Sequence, residues 1–186
     1  MRKMNNFLKK LLYGSYLWYF AEGLFAPLYA MFAEGIGGSV LDLTLAYSIY
    51  LIVGGLLYIT FGKLSDSKHT EKLIIIGYEI NTVATFCLIL VDSPLKLFIV
   101  EAMLGAASAI ASPAWSTLYS KNLDEGKIGE EIGYSEGVPW IISGIAVILG
   151  GLIVNYIGYK ALFLIMGVIQ LSSTIIQRRV LRVQNK

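Results

Sequence analysis

Four glutamates, Glu22, Glu79, Glu101 and Glu136, lie inside long apolar stretches of this chain. An ionised side chain at the centre of a bilayer costs about 2.5–3.5 kcal/mol on insertion scales. Carboxylates in such places hold a proton, bind a cationic or polar ligand, or accept hydrogen bonds from a neighbouring helix. Their neighbours at helical spacing point to a wet surface. Trp18, Glu22, Phe25 and Tyr29 fall on one side of a helix, as do Glu101, Gly105, Ser108, Ser112 and Trp115, and likewise Glu136, Trp140 and Ser143. Residues three, four and seven apart share a helix face. A stripe of carboxylate, hydroxyl and indole groups suits a water-filled cavity and does badly against lipid. Glu22, Glu101, Glu136, Trp18, Trp115 and Trp140 are therefore the candidate cavity residues. Glu79, near one end of its stretch, reads as structural.

A second chemical feature is the short charged segment Gly62-Lys63-Leu64-Ser65-Asp66-Ser67-Lys68 between two apolar runs. Gly62 is expected to close a helix with a positive φ. Asp66 is expected to cap the next helix or reach a facing helix start, where negative charge is favoured.

The elements that must position these residues follow from composition. The 186 residues are 56% hydrophobic and 15% charged, with a mean hydropathy of +0.66. Soluble domains carry about 25% charged residues, so the chain reads as an all-α membrane protein with the lipid bilayer as solvent. A spanning helix needs about 20 mostly apolar residues. Six runs qualify, at 11–33, 44–61, 73–91, 97–118, 132–154 and 161–177, and they are expected to form a single six-helix transmembrane domain. The first run is too long for a secretory h-region and carries Glu22 at its centre, so it is read as a retained helix.

Several function classes find no support. The net charge of +2 is too small to suggest a nucleic-acid partner. Cys87 stands alone, and His69 is the single histidine, which leaves neither a disulfide framework nor a metal cluster. No His-Glu-x-x-His pair, Gly-x-Ser-x-Gly elbow or phosphate-binding loop is present. The expectation is a protein that is not an enzyme and uses no cofactor.

Orientation follows from the basic residues, which accumulate on the cytoplasmic side of a membrane protein. With six spans both chain ends share a side with the segments around 62–72 and 119–131. That side holds thirteen of the 15 Lys and Arg residues, and only Lys96 and Lys160 lie on the other. Both termini are thus expected in the cytoplasm, with the protein in the cell membrane.

The chain also repeats itself. Gly54-Gly55-Leu56 in the second run is echoed by Gly150-Gly151-Leu152 in the fifth, each followed by a further glycine, Gly62 and Gly158. Ala26-Pro27 with Tyr29 in the first run is echoed by Ser112-Pro113 with Trp115 in the fourth. Three spans separate each pair, so the two copies must be inserted upside down relative to one another, a 3+3 inverted repeat.

Several of these stretches resemble the major facilitator superfamily of transporters. The order Gly62-x-x-x-Asp66 followed by basic residues resembles the signature loop between its second and third helices. Glu101-Ala102-Met103-Leu104-Gly105-Ala106-Ala107-Ser108-Ala109 resembles the fourth-helix pattern, with Glu101 where the family has arginine. The segment from Leu118 to Gly133 is similar to the loop before the fifth helix. Gly158-Tyr159-Lys160-Ala161-Leu162-Phe163 is similar to the start of the sixth. Ala146-Val147 stand where the fifth-helix antiporter pattern has Gly-Pro. Together these cover the whole chain as the amino-terminal six-helix half of a major facilitator fold. The resemblance implies that Glu22 and Glu101 point into a central cavity. It also implies that Gly62, Asp66 and Lys68 form a gating loop touching a second half.

The function expected on these grounds is a half-size secondary active transporter that moves a small solute by alternating access. The solute is expected to be cationic or polar, and the partner to be a parallel homodimer mate or a second six-helix half. The alternative is a non-transporting membrane subunit, or a truncated fragment, that binds a partner.

Overall fold

The fold was analysed in a computed structural model that describes residues 4–66 and 69–184. Lys68 of the expected gating loop lies outside the described residues. The first rod is helix α1 (Asn6–Phe25), a 3-10 turn at Ala26–Leu28 and helix α2 (Tyr29–Gly35). Then follow α3 (Val40–Ser65), α4 (Thr70–Cys87) with a 3-10 turn to Leu90, α5 (Pro94–Ser120), α6 (Ile128–Tyr156) and α7 (Tyr159–Gln184). No strand occurs among the described residues. Among the described residues, five helices are long and apolar enough to cross a membrane. The first rod completes the half-fold; its α1 carries Lys9, Lys10 and Glu22 and is interrupted at Pro27. A proline supplies no N–H to the helix ladder, and there the chain tightens to a 3-10 turn. Pro113 and Pro139, by contrast, sit inside unbroken α5 and α6.

The helices begin before their apolar runs, and α3, α5, α6 and α7 also end after them. At the start of α3, the Ser39 hydroxyl accepts from the Asp42 N–H at 3.2 Å, while the Asp42 carboxylate accepts from the Ser39 N–H at 2.8 Å. This reciprocal capping box satisfies two otherwise orphaned donors. The far end of α3 corrects the expectation for Gly62. That residue lies within the helix, and the glycines with positive φ are Gly37, Gly126 and Gly158. The helix runs on to Ser65, whose hydroxyl donates to the Gly62 carbonyl at 2.7 Å; Thr70 then donates to the Ser65 carbonyl at 2.8 Å. Side-chain hydroxyls thus terminate α3, with Lys63 suitably placed in the last turn for the helix dipole. Asp66 occupies the C-cap position of α3, and His69 the N-cap position of α4, so Asp66 does not cap the following helix. Gly158, with φ of 102°, does close α6.

Packing follows the repeat. α3 packs on α5 and α6 packs on α1; α4 packs on α5 and α7 packs on α1; α4 and α7 pack on each other. Exchanging the first, second and third rods with the fourth, fifth and sixth maps this set onto itself. The echoed glycines sit at equivalent crossings. Gly54 faces the backbone of Gly105 across α3 and α5, and Gly150 faces the backbone of Leu24 across α6 and α1. Small residues let helices approach closely in lipid, where association relies on packing and hydrogen bonds.

Two apolar clusters fill the bundle. One gathers Phe25, Phe32, Leu97, Leu162 and Phe163; the other gathers Leu8, Leu11, Ile74, Ile110 and Leu181. Between them runs a polar layer that links α1, α4 and α7. Ser173 donates to the Gly14 carbonyl at 2.7 Å, and the Thr82 and Thr174 hydroxyls meet at 2.8 Å. Gln177 donates to the Leu11 carbonyl at 2.9 Å and to the Tyr78 hydroxyl at 3.3 Å. The outer rods are α3 and α6: only 6% and 17% of their spans are buried within the bundle.

A carboxylate site between the helices

Glu22 continues this polar layer along α1. Asn81 of α4 and Gln170 of α7 both donate to its Oε1, at 3.2 and 3.0 Å. Those amides are 2% and 0% exposed. Side chains 59 and 148 positions away in the chain thus clamp one oxygen of the carboxylate, while Oε2 receives no hydrogen bond among the described residues. The Gln170 Oε1 is buried beside it without a partner.

Glu101, on α5, is 5% exposed. The Tyr29 hydroxyl interacts with it without meeting hydrogen-bond geometry. Glu22 and Glu101 lie within electrostatic reach of each other. Tyr50 of α3 acts on both and rests against Ser108 of α5. Glu22 and Glu101 thus sit on two helices that the repeat exchanges, α1 and α5. Among the described residues, no lysine, arginine or histidine is named as acting on either carboxylate.

Glu136 occupies a neighbouring place. It is exposed, acts on Tyr19, and lines a cavity of about 90 Å³ together with Trp18, Trp115, Tyr19, Ser112 and Ser116. Trp18 meets Tyr78 edge-on at 4.4 Å between ring centroids, and Trp115 stacks on Tyr119 at 4.8 Å. The Trp115 indole N–H is buried without an acceptor. Trp140 is not among the residues lining this cavity and is 81% exposed on α6. Phe25 also leaves the expected face, buried against Phe32 and Phe163 at centroid distances of 5.7 and 5.0 Å. Gly105 serves packing, since a methyl group there would approach the Tyr50 carbonyl oxygen to 2.4 Å. Glu79 pairs with Arg178, tying α4 to α7.

Residues that carboxylate-based reading missed are Asn81, Gln170, Tyr19 and Tyr50. A signal for one of them was present: Gln170, Ser173, Thr174 and Gln177 recur at helical spacing in an apolar run, and all four are buried.

The sequence profile of the Major Facilitator Superfamily matches residues 11–184. The chain belongs to that superfamily. An uncharacterized MFS-type transporter of Bacillus subtilis, YitZ, is 24% identical over 145 residues, which cover 78% of this chain and 88% of YitZ. That relative is thus itself a short facilitator chain. The uncharacterized MFS-type transporter MJ1560 of Methanocaldococcus jannaschii is 25% identical, covering 83% of this chain and 40% of the relative. The multidrug resistance protein MdtG of Klebsiella pneumoniae is 25% identical, covering 78% of this chain and 36% of the relative. Against these last two relatives, this facilitator chain spans about two fifths of their length. It is a multi-pass membrane protein built as a six-helix facilitator bundle.

Proposed function

We propose that this facilitator chain is a half-size secondary active transporter that moves a small solute across the cell membrane by alternating access. Residues 1–186 act as one six-helix transmembrane unit with both termini in the cytoplasm, and no enzymatic step is involved. The observation that carries the reading is the pair Glu22 and Glu101, two carboxylates without a basic counter-charge, held between helices whose outer neighbours α3 and α6 are uncovered. Glu136, Trp18 and Trp115 extend the same cavity wall. Trp140, exposed on α6, would meet the second half that closes this wall. An uncompensated acidic cavity favours a cationic solute. The name carried by the Klebsiella relative is in keeping with a small organic molecule.

A cavity with one wall needs a second. Facilitator halves are parallel repeats about an axis along the membrane normal. A like-oriented second copy of this chain, or another six-helix half, would cover the apolar outer residues of α3 and α6 and close the vestibule. The turn around Asp66, with Gly62 before it and Lys68 after it, would then contact that partner on the cytoplasmic side and act as the gate. The short relative YitZ supports the half-size reading, because it matches this chain over most of its own length.

Two measurements on the full chain in lipid vesicles test the proposal. Flux of organic cations driven by an imposed gradient should be saturable and should fall at least about tenfold, or about 1.4 kcal/mol, in Glu22→Gln. With Cys87 replaced, cysteines introduced at Leu56 on α3 and Leu152 on α6 should cross-link between copies. Flux indifferent to Glu22 across pH, together with a chain that stays monomeric in the membrane, would remove the reading.

A further inference from the structure

We propose that a cavity at the starts of α5 and α7 binds the headgroup of an anionic phospholipid, phosphatidylglycerol, with an acyl chain laid along its apolar wall. The cavity measures about 570 Å³, and Lys96, Lys160 and Asp92 line it. It is separate from the carboxylate site, since neither Glu22 nor Glu101 lines it. Lys96 and Lys160 are the two basic residues that fall outside the basic-rich segments of the chain. One opens α5 and the other opens α7, yet the fold brings both to this one cavity.

The charges around the cavity do not balance. Lys96 pairs with Asp92 at 2.6 Å and also donates to the Leu90 carbonyl at 3.4 Å. Lys160 forms no ion pair among the described residues. One positive charge is therefore left without an answer. Local helix chemistry adds to it, because the first turn of a helix carries partial positive charge and disfavours a cation. Both lysines sit in first turns, and neither turn contains an acidic residue. An anion seated between them would relieve both conflicts.

The rest of the lining says which anion. Its wall is apolar and includes Leu90, Ile99 and Val100, of which Leu90 is 70% and Ile99 57% exposed. A free phosphate ion would leave that wall bare. A zwitterionic lipid would bring its own ammonium group towards the lysines. The phosphodiester of phosphatidylglycerol carries a single negative charge, equal to the excess, and its glycerol hydroxyls can donate to the exposed Asp92 carboxylate. The turn holding Asp92 lies between the spans Thr70–Leu90 and Pro94–Ser120, at the level where headgroups meet water. Lysines at that level attract anionic lipid.

Native mass spectrometry of the full chain released from mild detergent tests the assignment, with phosphatidylglycerol and phosphatidylcholine of the same acyl chains added in turn. Phosphatidylglycerol should bind at least about fivefold tighter, equivalent to about 1 kcal/mol. Lys96→Gln combined with Lys160→Gln should abolish that preference; both side chains are exposed, so the fold should survive. Lys160→Arg, which keeps the charge, should retain it, as should Lys121→Gln at the other end of α5. Cys87, the single cysteine, lines the same cavity and reports on its occupancy. Its reaction with a maleimide should slow in phosphatidylglycerol vesicles relative to phosphatidylcholine vesicles, and inorganic phosphate should not reproduce the effect. Equal binding of the two lipids, or a preference that survives loss of both lysines, would overturn the proposal. Protection of Cys87 by inorganic phosphate alone would assign the site to a soluble anion instead.

Discussion

Gly150 of α6 lies so close to Leu24 of α1 that a methyl group built on it would approach the Leu24 carbonyl oxygen to 1.8 Å. Backbone, and not a yielding side chain, is what a new methyl would strike, so α1 and α6 must separate. Overpacking of this kind costs about 1–3 kcal/mol. Gly150→Ala should lower the thermal midpoint of the detergent-solubilised chain accordingly. Gly151→Ala is the matched comparison, since nothing lies within 4 Å of that position. There the exchange should be neutral or stabilising by up to about 1 kcal/mol, the helix-propensity difference between the two residues.

Glu22 separates function from folding. In Glu22→Gln the side-chain carbonyl can still accept from Asn81 and Gln170, so the fold should survive while cation flux falls. Glu22→Leu leaves both buried amides without an acceptor. Such unmet groups cost about 1–3 kcal/mol, so this variant should lose flux and also unfold at a lower temperature. Equal thermal midpoints for the two variants would show that the amide clamp contributes nothing to stability.

The pair Glu79 and Arg178 should matter little. Its side chains are 41% and 47% exposed, and ion pairs of that exposure contribute about 0–1 kcal/mol, less in salt. Replacing Glu79 with Gln should shift the thermal midpoint slightly at low ionic strength and not at all in concentrated salt. Flux should be unaffected in both.

Trp140 tests the second copy. At 81% exposure, it contributes little to the stability of the isolated bundle, so Trp140→Ala should leave the monomer's thermal midpoint unchanged. In a dimer closed across α6, the same substitution should weaken association, read as a shift towards monomer in detergent-corrected mass measurements. A change in monomer stability with no change in association would reverse that assignment.

The number and kind of elements were legible in the sequence. Lipid offers backbone groups no hydrogen bonds, so long apolar runs become helices. The pairing of Gly54 with Gly150 was also readable, and both glycines sit at equivalent crossings. Gly62 misled because glycine can end a helix but need not; the hydroxyls of Ser65 and Thr70 satisfied the terminal carbonyls further along.

Which face of each helix looks inward was a different matter. Lipid tails and a packed core are equally apolar, so hydropathy cannot tell Phe25, which is buried, from Trp140, which is not. Spacing could place Glu22 on a stripe, but not show that amides from α4 and α7 would close on one of its oxygens. Those contacts join residues far apart in the chain, and only the packing of α1, α4 and α7 brings them within reach.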